Sequence, residues 1–182
     1  MIARSVFATL GLVVSAFMVF GCSRASAQTA GPVHMVESVK SQGAGKVLDF
    51  SWRDGQKTQS FAQATAGKVV LLNIWATWCG PCRREIPDLI TLSSELAPKG
   101  VVVVGVSVDD NDDRLRTVKN FVEKSRITYM NVIDNANKDI ARHYGVQSIP
   151  MTLIIDRQGK IVEKIIGARS KDAFMAALAR AM

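Results

Sequence analysis

The sequence predicts an α/β fold, a central mixed sheet flanked by helices. Three observations lead there. Two continuous apolar runs, residues 69–75 and 101–108, read as strands buried on both faces, as parallel strands are. A helix is expected from the Cys79/Cys82 pair that follows the first run, and apolar residues at helical spacing follow the second. Near the C-terminus two further strand-like runs, 151–155 and 160–166, are joined by the turn Asp156-Arg157-Gln158-Gly159 and followed by another helical pattern.

Taken in order, residues 1–27 read as an export address. Arg4 gives a positive start, and the apolar stretch from Ser5 to Gly21 falls short of the ~20 residues of a membrane span. Ala25-Ser26-Ala27 has the form of a cleavage site, so release after Ala27 is expected, which discards Cys22 and leaves a domain outside the cytoplasm. Two other outcomes stay open. Val19-Phe20-Gly21-Cys22 resembles a lipoprotein box that would leave a lipid on Cys22, and the apolar stretch could stay uncleaved as a membrane anchor. Residues 28–44, rich in Gln, Ser, Gly and Ala, are expected to be a linker, and 45–182 the folded domain.

Within that domain, 47–52 alternates in polarity and meets Asp54-Gly55, which predicts an N-terminal β-hairpin. After strand 69–75, a helix should run from the Cys79/Cys82 pair towards Leu96. Strand 101–108 closes on a polar stretch, 109–113. There Asp109, Asn111 and Asp113 alternate like the start of a calcium loop, but the required Gly and late Glu are missing, so a solvated capping turn is expected. Leu115, Val118, Phe121 and Val122 recur at helical spacing. A short strand at 129–133, a brief helix around Ile140, Ala141 and Tyr144, and a terminal helix carrying Phe174, Ala177, Leu178 and Ala181 complete the pattern.

The chain's 182 residues are enough for one domain plus the export segment. With 48% hydrophobic and 21% charged residues it has the composition of a globular core, not of a disordered chain. The net charge of +7 falls by two, to +5, if Arg4 and Arg24 leave with the export segment. No Lys/Arg run exceeds a pair such as Arg83-Arg84, so nucleic-acid binding is not expected. Three cysteines are too few for a disulfide-stapled scaffold and suit one reactive pair, with a separate fate for Cys22.

The chemistry sits at Trp78-Cys79-Gly80-Pro81-Cys82. Two cysteines three apart can bond if the first turn of a helix brings their Cβ atoms to ~3.8 Å, and Pro81 suits that turn because its missing N–H belongs to the unpaired first turn. A helix N-terminus also favours the thiolate, lowering a cysteine below its ordinary pKa of ~8.5. Cys79 is then the attacking thiol and Cys82, one turn deeper, the resolving one. A zinc or copper clip and an inert structural disulfide are the alternatives. A closed zinc site needs four ligands, and beyond this pair the mature chain offers only His34 and His143.

The segment Trp75-Ala76-Thr77-Trp78-Cys79-Gly80-Pro81-Cys82-Arg83-Arg84-Glu85-Ile86-Pro87 resembles the active-site segment of exported thioredoxin-like thiol-disulfide reductases of the TlpA/ResA/CcmG type. The likeness runs from about Lys46 to the C-terminus, with Gly67-Lys68 before the first buried strand and Asp156 and Gly159 between the last two. It implies a thioredoxin fold and a Cys79–Cys82 redox disulfide. It makes Glu85 a catalytic proton acceptor or donor, all the more because Asn73 stands where cytoplasmic thioredoxins have a buried acid. Ile149-Pro150 becomes a cis peptide facing the cysteines, with Trp78, Gly80, Pro81, Ile149 and Pro150 as substrate-binding and structural residues, and Pro87 takes a structural helix-kink position. The resemblance further implies reduction of client proteins, such as apocytochrome c or copper-site assembly proteins. A membrane thiol electron donor would recharge the pair, and no cofactor is required. An oxidase or isomerase of the same fold and a non-enzymatic metal carrier are the competing outcomes.

Overall fold

A computed structural model describes residues 29–41 and 47–182. The export segment, with Arg4, Cys22, Arg24 and the cleavage signature at 25–27, lies outside the described residues. In chain order the elements are β1 (Val33–Lys40), β2 (Asp49–Asp54), β3 (Lys57–Ser60), α1 (Phe61–Ala64), β4 (Val69–Trp75), α2 (Gly80–Leu96), a 3-10 turn (Ala97–Lys99) and β5 (Val101–Ser107). Then come α3 (Arg114–Lys124), β6 (Met130–Ile133), α4 (Asp139–His143), β7 (Met151–Ile155), β8 (Ile161–Ile166) and α5 (Lys171–Ala179).

The strands form one mixed sheet in the order β3-β2-β1-β6-β5-β4-β7-β8. β4 lies at its heart, parallel to β5 and antiparallel to β7, and all seven of its residues are buried. That is why its sequence is continuously apolar instead of alternating. Successive residues nevertheless serve opposite faces. Leu71, Val103 and Ile154 pack with α2, α3 and α5, while Leu72, Val104 and Leu153 pack with α1 and α4. In α2 the buried residues Cys82, Glu85, Ile86, Leu89, Leu92 and Leu96 recur at intervals of three and four, laying one stripe of the helix on the sheet.

The expected hairpin is β2–β3, with Asp54 paired to Lys57, so Gly55 and Gln56 form the loop. Gly55 opens it at φ 58, a conformation that glycine adopts without strain. One expectation fails. Residues 33–40, read as linker, form β1, which is parallel to β6 and antiparallel to β2. A bulge between Val36 and Ser38 hides the strand from the sequence pattern. It shifts the register so that Val36 and Val39 serve the same face, and the apolar residues do not alternate in sequence. His34, placed by the sequence in a flexible lead-in, sits in this strand with its ring 5.9 Å from that of Trp52. Among the described residues no helix is long and apolar enough to cross a membrane, and no group of three or more His, Cys, Asp and Glu could hold a metal ion.

Candidate active site

β4 ends at Trp75, and a four-residue loop delivers Cys79 to the N-cap of α2. Cys79 and Cys82 are joined in a disulfide with their Cα atoms 5.3 Å apart. The Cys82 backbone N–H donates to Cys79 Sγ at 3.2 Å, one of the orphan donors of the helix start. A donor there stabilises negative charge on that sulfur once the bond is reduced. Cys82 is fully buried while Cys79 retains 5% exposure, so Cys79 is the outer sulfur. Beside it Trp78 is 66% exposed, and Gly80 and Pro81 form the open first turn.

β7 brings the second half of the site. The Ile149–Pro150 peptide is cis, and the Ile149 carbonyl oxygen lies 3.7 Å from Cys79 Sγ. In the disulfide that sulfur has no proton to donate; in a reduced Cys79 thiol it would have this oxygen as acceptor. On its far side Pro150 accepts a hydrogen bond from Gly167 N–H at 2.9 Å, which ties the end of β8 to the same corner.

Glu85 faces the sheet one turn beyond Cys82 and is 2% exposed. Its Oε1 accepts from the Asn73 amide at 2.7 Å, and its Oε2 from the Arg169 backbone N–H at 3.2 Å. Asn73 is cross-strand neighbour to Thr152 and donates to its hydroxyl at 3.0 Å, so β4 and β7 jointly aim the amide at the carboxylate. Burial pushes Glu85 up from 4.5 to about 7, against the pull of the Asn73 amide, the Arg169 N–H and the Arg169 charge, while the Asp88 charge adds to the rise. The group therefore changes protonation near neutrality, the range useful for proton transfer. The Tyr129 hydroxyl is buried without a partner in the same core, raised in pKa first by burial and then by the Glu85 charge.

The turn after β5 is exposed at 110–113, as expected of a solvated capping turn, but Asp109 departs from it. Asp109 is 3% exposed and holds the loop before the cysteines. It accepts from Thr77 N–H at 3.0 Å, Thr77 hydroxyl at 2.5 Å and Ser107 hydroxyl at 2.7 Å. These bonds satisfy a buried carboxylate and fix the path of the chain into Trp78 and Cys79. Trp75 is held in a comparable way, its indole N–H donating to Asn131 Oδ1 on β6 at 3.1 Å across Gly105.

Trp78, Cys79, Gly80, Pro81, Cys82 and Glu85 lie at the β4–α2 junction, and Ile149 and Pro150 reach the same corner just before β7. Asp109 and Arg169 were not among the site residues read from the sequence. Asp109 binds Thr77, 32 residues earlier, and the Arg169 hydrogen bond to Glu85 comes from a backbone N–H that any residue but proline carries, so neither hydrogen bond leaves a local sequence signal. His34 and His143 do not join the cysteines. His143 packs against Tyr144 with ring centroids 5.0 Å apart.

Comparison with known proteins agrees with this arrangement. The Redoxin family profile matches residues 43–179. A thiol-disulfide oxidoreductase ResA of Bacillus thuringiensis is 40% identical over 106 residues, 58% of this chain and 59% of the relative, so the chain spans about three fifths of that relative's length. The thioredoxin-like protein YneN of Bacillus subtilis is 37% identical over 123 residues, covering 68% of this chain and 71% of YneN. The crystal structure of a DsbE-type thiol:disulfide interchange protein from Chlorobium tepidum superposes with a TM-score of 0.65 at 28% identity, over 75% of this chain and 94% of its own. With its Cys pair capping a helix beside a cis-proline strand, the chain belongs to the Redoxin family, as a thioredoxin-fold member of the ResA/CcmG type.

Proposed function

We propose that this chain is a protein-disulfide reductase acting by dithiol–disulfide exchange. The observation that carries the reading is the Cys79–Cys82 disulfide, with its outer sulfur at a helix N-cap beside the Ile149 carbonyl and its inner sulfur buried. In the reduced protein the Cys79 thiolate attacks one sulfur of a client disulfide, forming a mixed disulfide and expelling the client's other thiolate, which takes up a proton. Cys82, deprotonated in turn, attacks Cys79 Sγ and releases the client as a dithiol. One disulfide breaks and one forms at each step, so two electrons pass to the client and no cofactor is needed. Glu85 accepts the Cys82 proton, and its titration near neutrality supports that role. Trp78 and the Ile149-Pro150 backbone receive the client's extended segment.

Reduction is favoured over oxidation by the Gly80-Pro81 pair and by Ile149, which match reducing thioredoxins. The export signature supports work outside the cytoplasm, either as a released domain or attached through the N-terminal segment. There a membrane thiol donor would recharge the pair, with apocytochrome c or copper-site assembly proteins as clients. In the test, Cys79→Ser should abolish reduction of a protein disulfide by the dithiol-charged protein. Cys82→Ser should accumulate clients covalently attached to Cys79, identified by mass spectrometry. Full turnover by both variants would refute the proposal.

A further inference from the structure

Arg83 and Arg84 follow Cys82 directly and are exposed, on the same helix start as the cysteines. Arg83 rests its guanidinium over the Phe121 ring, 5.7 Å from the centroid. Arg84 folds back beside Gly80, the first of the two residues between the cysteines, so that a Cβ there would lie 3.9 Å from its Nη1. Arg169, also exposed, stands over Glu85 in the loop that Gly167 ties to Pro150. The ion pairs among the described residues engage Arg53, Arg116, Lys138, Lys171 and Arg180, and none engages these three arginines. The nearby acids on α2 are taken up by backbone groups. Glu85 accepts from Arg169 N–H, and Asp88, one turn after Arg84, accepts from Lys171 N–H at 2.9 Å. Acids on the other flank are partly engaged as well. Asp110 pairs with Lys138 and Asp113 with Arg116, which leaves Asp112 exposed.

Two positive charges at the start of a helix oppose its macrodipole, so they gain nothing there from the helix itself. Three exposed arginines, none in an ion pair among the described residues, thus lie on the helix start and the neighbouring loop that border the site, where Trp78 is a large exposed hydrophobic residue directly beside the cysteines. We infer that Arg83, Arg84 and Arg169 form a cationic rim that selects client segments carrying carboxylate side chains next to their disulfide, with Trp78 covering the apolar part of the same segment. Guanidinium suits this task because it pairs with carboxylates in a forked geometry and is weakly hydrated. The inference rests on the exchange chemistry proposed above and adds its substrate class.

The test uses the full chain, charged with a small dithiol and freed of excess. It is mixed with three synthetic peptides that each close one intramolecular disulfide and differ only in having Glu, Ser or Lys beside the cysteines. The second-order rates of peptide reduction should rank Glu over Ser over Lys. The span should be about tenfold at low ionic strength, the lower end of electrostatic steering. It should shrink to about twofold in 0.5 M salt, where the Debye length is roughly 4 Å. In the triple variant Arg83→Gln, Arg84→Gln, Arg169→Gln the Glu-to-Lys ratio should approach one, a readout that any general loss of rate cancels out of. Equal rates for the Glu and Lys peptides in the unmodified protein, or a faster Lys peptide, would overturn the rim while leaving the reductase standing. Failure to reduce even the Ser peptide would remove the reductase reading and the rim with it.

Discussion

At Glu85 the fold holds a carboxylate where its charge is costly. Among the described residues two hydrogen bonds, from the Asn73 amide and Arg169 N–H, compensate for its burial, and it titrates near 7 instead of 4.5. Between those two values the folded protein keeps a proton that the unfolded chain has lost. Stability therefore falls as pH rises through this window and stays lower above it, by about 3 kcal/mol in all. Asp134, also raised by burial, acts in the same direction, so the contribution of Glu85 must be read as a difference. Glu85→Gln keeps the shape of the side chain and removes the titration. Urea unfolding of the oxidised proteins from pH 4.5 to 8 should show the variant gaining on the unmodified chain by roughly that amount as pH rises. Parallel curves would mean that Glu85 does not bind its proton as described.

Among the elements, the middle of the sheet carries a row of small and polar residues under α2. Thr152, Asn73, Gly105 and Asn131 are neighbours across β7, β4, β5 and β6. The row is polar because it serves the site. Asn73 aims at Glu85, and Asn131 holds the indole of Trp75, the last residue of β4 before the cysteine loop. Gly105 has to lack a side chain, since a Cβ there would fall 2.0 Å from Asn131 Oδ1 and 2.8 Å from Trp75 Nε1. Gly105→Ala should cost about 3 kcal/mol as overpacking, and Asn131→Ala about 1–3 kcal/mol for the stranded indole N–H. Combined, they should cost clearly less than the two added together, because removing the amide makes room for the methyl. Additive losses in thermal or urea unfolding would show that the two positions do not share this space.

At the scale of the whole molecule the site is assembled from four segments far apart in the chain: 73–85, 107–109, 149–152 and 167–171. What could be read in the sequence was whatever short-range periodicity encodes. The buried strands announce themselves as apolar runs, α3 and α5 as stripes at helical spacing, and the start of α2 by the three-residue interval of its cysteine pair. Glu85 and Pro150 were legible only through a family resemblance. β1 was hidden by its bulge, and Asp109 by its place in a run of acids whose other members are exposed. The clamp on Thr77 and the Arg169 N–H to Glu85 exist only once the sheet has closed, so no local pattern records them. The N-cap geometry favours Cys79 as the nucleophile and leaves Cys82 in the core. Alkylation of the reduced protein by iodoacetamide as a function of pH, with mass-spectrometric identification of the modified cysteine, tests this assignment directly. Cys79 should be modified first, with an apparent pKa well below the ~8.5 of a free cysteine, and Cys82 should be protected. Modification of Cys82 ahead of Cys79, or a Cys79 that titrates like free cysteine, would contradict the assignment.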